Sequence, residues 1–242
     1  ELVNYFIKGN IELTKVDADY PDNKLTGAVF EVYADTNGNG EFDKDDKLCG
    51  EMTELEGGVY QMTELRYGKY FVREKTAPDG FVLDDGVYGV SIEENGKTYT
   101  VENKAGVGFI NEAQKGSLKI VKTSSDGKVE GFSFRVTSAD GYDQTFKTDK
   151  NGEIFIEGLR IGEYTVSEVS DSASAGYILP ADKQATVKTD STTIVEMHNE
   201  FRDTPKTGDD FNLGLWVSLA AASVIGAGVL GFVGFKKKKK ED

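Results

Sequence analysis

The sequence predicts an all-β protein: tandem two-sheet sandwiches followed by one C-terminal transmembrane helix. Three observations lead there. Short runs alternate apolar and polar residues with the period of a strand, as in Ile11-Glu-Leu-Thr-Lys-Val16 and Glu163-Tyr-Thr-Val-Ser-Glu168. Asn95-Gly96, Asp126-Gly127, Asp140-Gly141 and Asn151-Gly152 punctuate these runs with hairpin-turn chemistry. Finally, an uncharged apolar run from Leu213 to Phe235 is the one stretch that reads as a helix.

The 242 residues suffice for two domains of ordinary size. A formal net charge of -14, with much of the positive charge in the last residues, argues against nucleic acid or anionic lipid as a partner of a basic surface. The single cysteine, Cys49, excludes an intramolecular disulfide, so an exported chain of this kind needs another staple. Cys49 itself is read as a small residue near a turn and not as a reactive thiol.

Self-comparison organises the chain. Asn4-Tyr-Phe-Ile-Lys-Gly9 resembles Asn111-Glu-Ala-Gln-Lys-Gly116, and each asparagine precedes a lysine by eleven residues. Leu25-Thr-Gly-Ala-Val-Phe30 matches Val129-Glu-Gly-Phe-Ser-Phe134, and Leu65-Arg-Tyr-Gly-Lys-Tyr70 matches Leu159-Arg-Ile-Gly-Glu-Tyr164. Residues 1–9 read as the last strand of a truncated preceding domain, 10–112 as a first complete unit and 113–200 as a second. The repeat offset falls from 104 to 94 residues, which places a ten-residue insertion in the first unit.

Strand parity exposes an anomaly. Lys15 shares a face with Ile11 and Leu13, Glu74 with Tyr70 and Val72, and Asn111 with Val107 and Phe109. The second unit repeats it with Lys122, Glu168 and Asn199. Three polar groups directed into a core are costly unless they meet. Where they meet, a desolvated lysine amine becomes a nucleophile, and a carboxyl kept protonated polarises the amide and shuttles protons. The product is a Lys–Asn isopeptide bond with loss of ammonia. The alternative is a buried salt bridge capped by an amide, with no covalent bond.

The opening lysine, Gly27-Ala-Val-Phe30, the Leu-x-x-Gly-x-Tyr-x-Val-x-Glu block, Ala77-Pro-Asp-Gly-Phe81 and the closing Asn-Glu together resemble the Cna B-type (SpaA-like, prealbumin-like) domain of Gram-positive adhesins and pilins. The resemblance implies immunoglobulin-like, prealbumin-like sandwiches with bonds Lys15–Asn111 assisted by Glu74 and Lys122–Asn199 assisted by Glu168. The second unit departs from the pattern after Glu168, where Val169-Ser-Asp-Ser-Ala-Ser-Ala-Gly-Tyr177 replaces a short Pro-Gly turn.

The insertion carries Asp35, Asn37, Asn39, Glu41, Asp43 and Asp46 at the positions of a calcium loop, with Gly40 at its sharp turn. Glu41 would contribute its backbone carbonyl. The spacing makes Ca2+ the one cofactor the sequence suggests, and none is required for the self-crosslinking. The alternative is an acidic hairpin tip without metal.

Thr204-Pro205-Lys206-Thr207-Gly208 closes a linker, 201–212, ahead of the apolar run. About 23 apolar residues at 1.5 Å each span a hydrocarbon core of about 30 Å. The lysines of the tail 236–242 hold that end in the cytoplasm, so everything before Leu213 lies outside. This order resembles the sorting signal of LPxTG-type cell-wall-anchored proteins. The resemblance implies cleavage by a sortase between Thr207 and Gly208 and transfer to peptidoglycan or to a pilin lysine. Thr204 stands where that family usually has Leu. The chain starts at Glu1 with no signal peptide, so an N-terminal part is expected to be missing.

No nucleophile–His–acid arrangement accompanies the single histidine, His198, and no phosphate-binding loop is present. The chain is therefore read as no enzyme toward external substrates. Its expected function is the rigid stalk of a cell-wall-anchored extracellular protein, presenting an upstream adhesive region to a host or matrix ligand. The alternative is a pilus subunit polymerised by a pilin sortase.

Overall fold

The computed structural model describes residues 5–202. The sorting motif Thr204–Gly208, the apolar run 213–235 and the tail 236–242 lie outside the described residues, as does Asn4. Among the described residues no helix is long and apolar enough to cross a membrane. One turn of 3-10 helix, Glu56–Gly58, is the sole helical element there.

The first unit contains β1 (Lys8–Asp17), β2 (Val29–Ala34), β3 (Lys47–Glu51), β4 (Thr53–Glu54), β5 (Val59–Arg66), β6 (Gly68–Thr76), β7 (Val87–Ile92), β8 (Thr98–Thr100) and β9 (Phe109–Asn111). The second contains β10 (Lys115–Ser124), β11 (Ser133–Ser138), β12 (Asp143–Lys147), β13 (Glu153–Arg160), β14 (Gly162–Glu168), β15 (Tyr177–Ile178), β16 (Lys183–Val187) and β17 (Thr192–Phe201). β1 begins at Lys8, two residues ahead of the boundary expected at Asn10.

Each unit is a pair of sheets. In the first, β4-β5-β1-β8, with β9 also on β1, faces β3-β2-β6-β7. In the second, β13-β10-β17-β15 faces β12-β11-β14-β16. The inward residues of both sheets merge into one core per unit. Ile11, Leu13, Phe30, Val32, Tyr60, Val72 and Phe109 build the first, and Leu118, Ile120, Phe134, Val136, Tyr164, Val166 and Met197 the second. The alternation of β1 from Lys8 to Lys15 follows from this, because every second side chain must leave water, and it ends where Val16 and Asp17 are buried too.

The chain's first and last strands lie side by side and parallel within each unit. β1 pairs with β9 so that Lys15 stands opposite Phe109 and Asp17 opposite Asn111. β10 pairs with β17 in the same way, Lys122 opposite Met197 and Ser124 opposite Asn199. The asparagine is thus the diagonal same-face neighbour of the lysine in both units. Both opening strands also bulge just after a glycine, between Gly9 and Ile11 and between Gly116 and Leu118. A Cβ on Gly9 would come 2.8 Å from the Lys97 carbonyl oxygen, which explains why that position carries no side chain.

The insertion falls between β2 and β3, as residues 35–46, where the second unit has only the turn 139–142 between β11 and β12. Cys49 lies on the exposed strand β3 and not at a turn.

Candidate functional site

In the first unit the three inward polar residues meet. Lys15 is fully buried, and Glu74 and Asn111 are 4% and 2% exposed. β1 supplies Lys15, β6 supplies Glu74 from the facing sheet, and β9 supplies Asn111. Lys15 Nζ contacts Asn111 Oδ1 directly. It lies 3.1 Å from Glu74 Oε1. Asn111 Nδ2 donates to both Glu74 oxygens at 3.0 and 2.9 Å, which turns the amide oxygen toward the amine.

The surroundings are apolar. Phe109 and Phe30 present their rings 4.5 and 5.7 Å from Lys15 Nζ. Burial lowers the Lys15 pKa to about 8, and the Glu74 carboxylate opposes that shift without cancelling it. A proton passed from Nζ to Glu74 across their contact leaves a neutral amine against an amide carbonyl. Such an amine could attack Asn111 Cγ; in that reaction Glu74 would relay the proton released from Nζ to Nδ2 as the Nζ–Cγ bond formed and the Cγ–Nδ2 bond broke, with ammonia as the leaving group. Holding the three groups in contact supplies the proximity that such a reaction lacks in solution.

One contact of this cluster was not visible in the sequence. The backbone N–H of Asp84 donates to Glu74 Oε2 at 2.9 Å, fixing the carboxyl from the loop after β6. Asp84 also carries a carboxylate near Lys15 that favours the charged amine. A backbone donor leaves no side-chain signature.

The second unit assembles the same residues less completely. Lys122 and Asn199 are buried and Glu168 is half-buried. Asn199 Nδ2 donates to Glu168 Oε1 at 2.7 Å. Lys122 Nζ, however, donates to the Thr123 carbonyl and sits 4.2 Å over the Phe132 ring. Asn199 Oδ1 and Glu168 Oε2 consequently have no hydrogen-bond partner. Burial lowers the Lys122 pKa and raises that of Glu168, so both neutral forms are favoured. The loop 169–176 differs as well. There Asp171 turns away to Ser133 and Ser174, and no backbone N–H reaches Glu168 as that of Asp84 reaches Glu74.

The inserted loop is a chain of side-chain-to-backbone turns. Asp35 accepts from Gly38 N and Gly40 N, Asn37 from Asn39 N, Asn39 from Glu41 N, and Asp46 from Asp43 N. Both asparagine amides donate to Asp43 Oδ2. Asp46 Oδ1 is buried and unpartnered. Among the described residues no three Asp, Glu, His or Cys side chains converge on one point. A full shell here would therefore draw on Asn37, Asn39 and the Glu41 carbonyl. His198 is exposed and bonds Thr123 and Glu200, away from both sites.

The model of the SpaA family, a prealbumin-like fold domain, matches residues 9–105 and again 116–201. Among solved structures, the TIE protein of Bacillus anthracis is 25% identical over 81% of this chain, with a TM-score of 0.60. The matched part is 34% of that protein's chain, so this chain spans about a third of its length. The minor pilin GBS52 of Streptococcus agalactiae is 16% identical, covering 82% of this chain and 98% of its own, with a TM-score of 0.38. A C-terminal fragment of the pilus adhesin SpaC from Lactobacillus rhamnosus GG is 14% identical over 81% and 98%, with a TM-score of 0.49. No curated protein matches the chain.

Proposed function

Because the chain belongs to the SpaA family of prealbumin-like fold domains, we propose that it is the structural stalk of a Gram-positive surface protein, stiffened by self-made Lys–Asn bonds. The observation that carries this reading is the buried contact of Lys15 with Asn111 and Glu74. A buried ion pair of this kind adds little to stability by itself, since desolvation offsets the Coulomb gain. A covalent bond gives the burial a purpose. It also supplies the staple that one cysteine cannot.

Tension applied at the two ends of the first unit would run along β1 to Lys15, cross to Asn111 and leave toward Lys115. The sheets between would carry none of it. Thr204–Gly208 would be the sortase substrate, with Thr207 joined to a peptidoglycan amine after the apolar run 213–235 has held the chain in the membrane. This places the stalk outside the cell, with an adhesive region upstream meeting a host or matrix ligand.

The test is the intact mass of residues 1–203 beside its Lys15→Ala and Lys122→Ala variants. The expected parent is lighter than its sequence by one ammonia per unit, and each variant regains one. A parent at full sequence mass would leave two buried polar clusters and remove the covalent stalk.

The loop 35–46 is proposed as a calcium site on the strength of its spacing and the orphaned Asp46 Oδ1. Calcium there would tie the base of the insertion to the β2–β3 hairpin, and chelation would lower the unfolding temperature of the first unit alone.

A further inference from the structure

The two units are joined by a built socket. Arg160, at the end of β13, forks onto Asp17 at 2.7 and 2.8 Å and reaches Asp19 at 3.0 Å. Lys115 adds a second cation on Asp19 at 3.0 Å. Tyr20 and Phe81 flank the guanidinium at 4.9 and 5.8 Å. The linker is covered as well: Ala113 is 7% exposed and bridges Phe81, while Ile161 N donates to the Gln114 carbonyl at 3.1 Å. Burial alone would raise the Asp17 pKa, yet the Arg160 hydrogen bonds hold it below its ordinary value.

The opposite pole of the first unit repeats the donor half of this socket. Arg66 ends β5 as Arg160 ends β13, and it stands opposite Lys8 as Arg160 stands opposite Lys115. Tyr67 N donates to the Ile7 carbonyl at 2.9 Å, the counterpart of Ile161 on Gln114. What is missing is the cover. Arg66 lies 4.5 Å over Phe6 and joins none of the ion pairs formed among the described residues. Phe6 is 68% exposed where its counterpart Ala113 is buried, and Tyr5 and Tyr67 are 87% and 66% exposed. A basic fork over one exposed aromatic, with two more exposed aromatics next to it in the chain, has the composition of an interface.

We infer that this pole docks the far end of another prealbumin-like domain lying directly ahead of it, with Arg66 seated on an acid pair as Arg160 is on Asp17 and Asp19. The occupant must carry Asp-x-Asp two residues beyond its strand lysine. The second unit of this chain does not, because Ser124 and Asp126 stand at those positions and Asp126 is bonded to Tyr177. A second copy of the chain therefore offers no matching end, and the stacking has one direction. The inference stands whether or not the Lys15–Asn111 bond forms.

The experiment is a tandem in which a copy of residues 5–111 is placed directly ahead of Tyr5 of the full described chain. Small-angle scattering and amide exchange are then compared for the parent, for Arg66→Glu at the new joint, and for Arg66→Glu combined with Asp17→Lys and Asp19→Lys in the copy. The expected parent scatters as one stiff rod with slowed exchange at Phe6 and Tyr67. Arg66→Glu loses both, and the charge swap restores them. The idea is overturned if Arg66→Glu changes nothing while Arg160→Glu opens the other joint. It is equally overturned if the unmodified chain forms a concentration-dependent dimer that Arg66→Glu abolishes, since a second copy would then be the occupant.

Discussion

At the scale of single residues, each unit turns on one carboxyl. Glu74→Gln keeps the size and one oxygen to accept from the Asn111 amide, but cannot take the Lys15 proton. The first unit of that variant should remain at full sequence mass while the second still loses its ammonia, read by mass spectrometry of separated proteolytic halves. The pH dependence follows from the amine. Lys15 becomes neutral by handing its proton to Glu74, so the pair reacts while it still holds that shared proton, and the Lys15 pKa is lowered to about 8, first by burial. Bond formation in newly synthesised chains should therefore be level below about pH 8 and slow as the pair loses its proton above it. Time-resolved mass after cell-free synthesis at several pH values would show this, and a rate rising over that range would contradict it. The sequence made these residues legible because strand parity turned Lys15, Glu74 and Asn111 each toward the core. It did not show the Asp84 N–H on Glu74, nor the turn of Lys122 toward the Thr123 carbonyl. A backbone donor and a rotamer leave no mark in a residue pattern.

At the scale of elements, the arrangement that matters is the parallel pairing of opening and closing strands. The Lys15–Asn111 link would close a loop of 96 residues. On the chain-entropy model, losing such a link costs about 4–5 kcal/mol. Lys15→Ala should lower the denaturant stability of the first unit by at least that order, while Lys122→Ala should spare it. The loop 169–176 sets the second unit apart, because Glu168 there lacks the backbone donor that Asp84 provides. The second unit is expected to complete its bond more slowly than the first, as two resolved steps of ammonia loss in a mass time course. Alternation and Gly-containing turns were enough to call the longer strands. The short β8 and β15 escaped because two or three residues show no period, and pairing partners are set by packing that one strand's sequence does not contain.

For the whole molecule, the repeat read from Asn111-Glu-Ala-Gln-Lys-Gly116 foretold two units but not what fixes them together. That depends on Arg160, a residue with no anomaly in sequence, whose partners lie 143 and 141 positions away. Removing it strands the buried Asp17 carboxylate, so Arg160→Ala should cost about 2 kcal/mol at the joint and broaden the scattering profile of residues 1–203. Sorting belongs to this scale too. Thr207→Ala should retain the protein in the membrane fraction, whereas the parent should be released with the wall. A ladder of boiling-resistant species in wall extracts would recast the stalk as a pilus subunit.

The side-by-side placement of Lys15 and Asn111 has one more consequence once they are joined. The backbone from residue 16 to residue 110 becomes the arc of a closed ring, and the thread of the molecule passes through the junction instead. A protease that nicks the exposed loop 35–46 would open the ring without parting the chain. Everything upstream would stay attached to the cell, and damage that severs an ordinary tether would here leave only a scar.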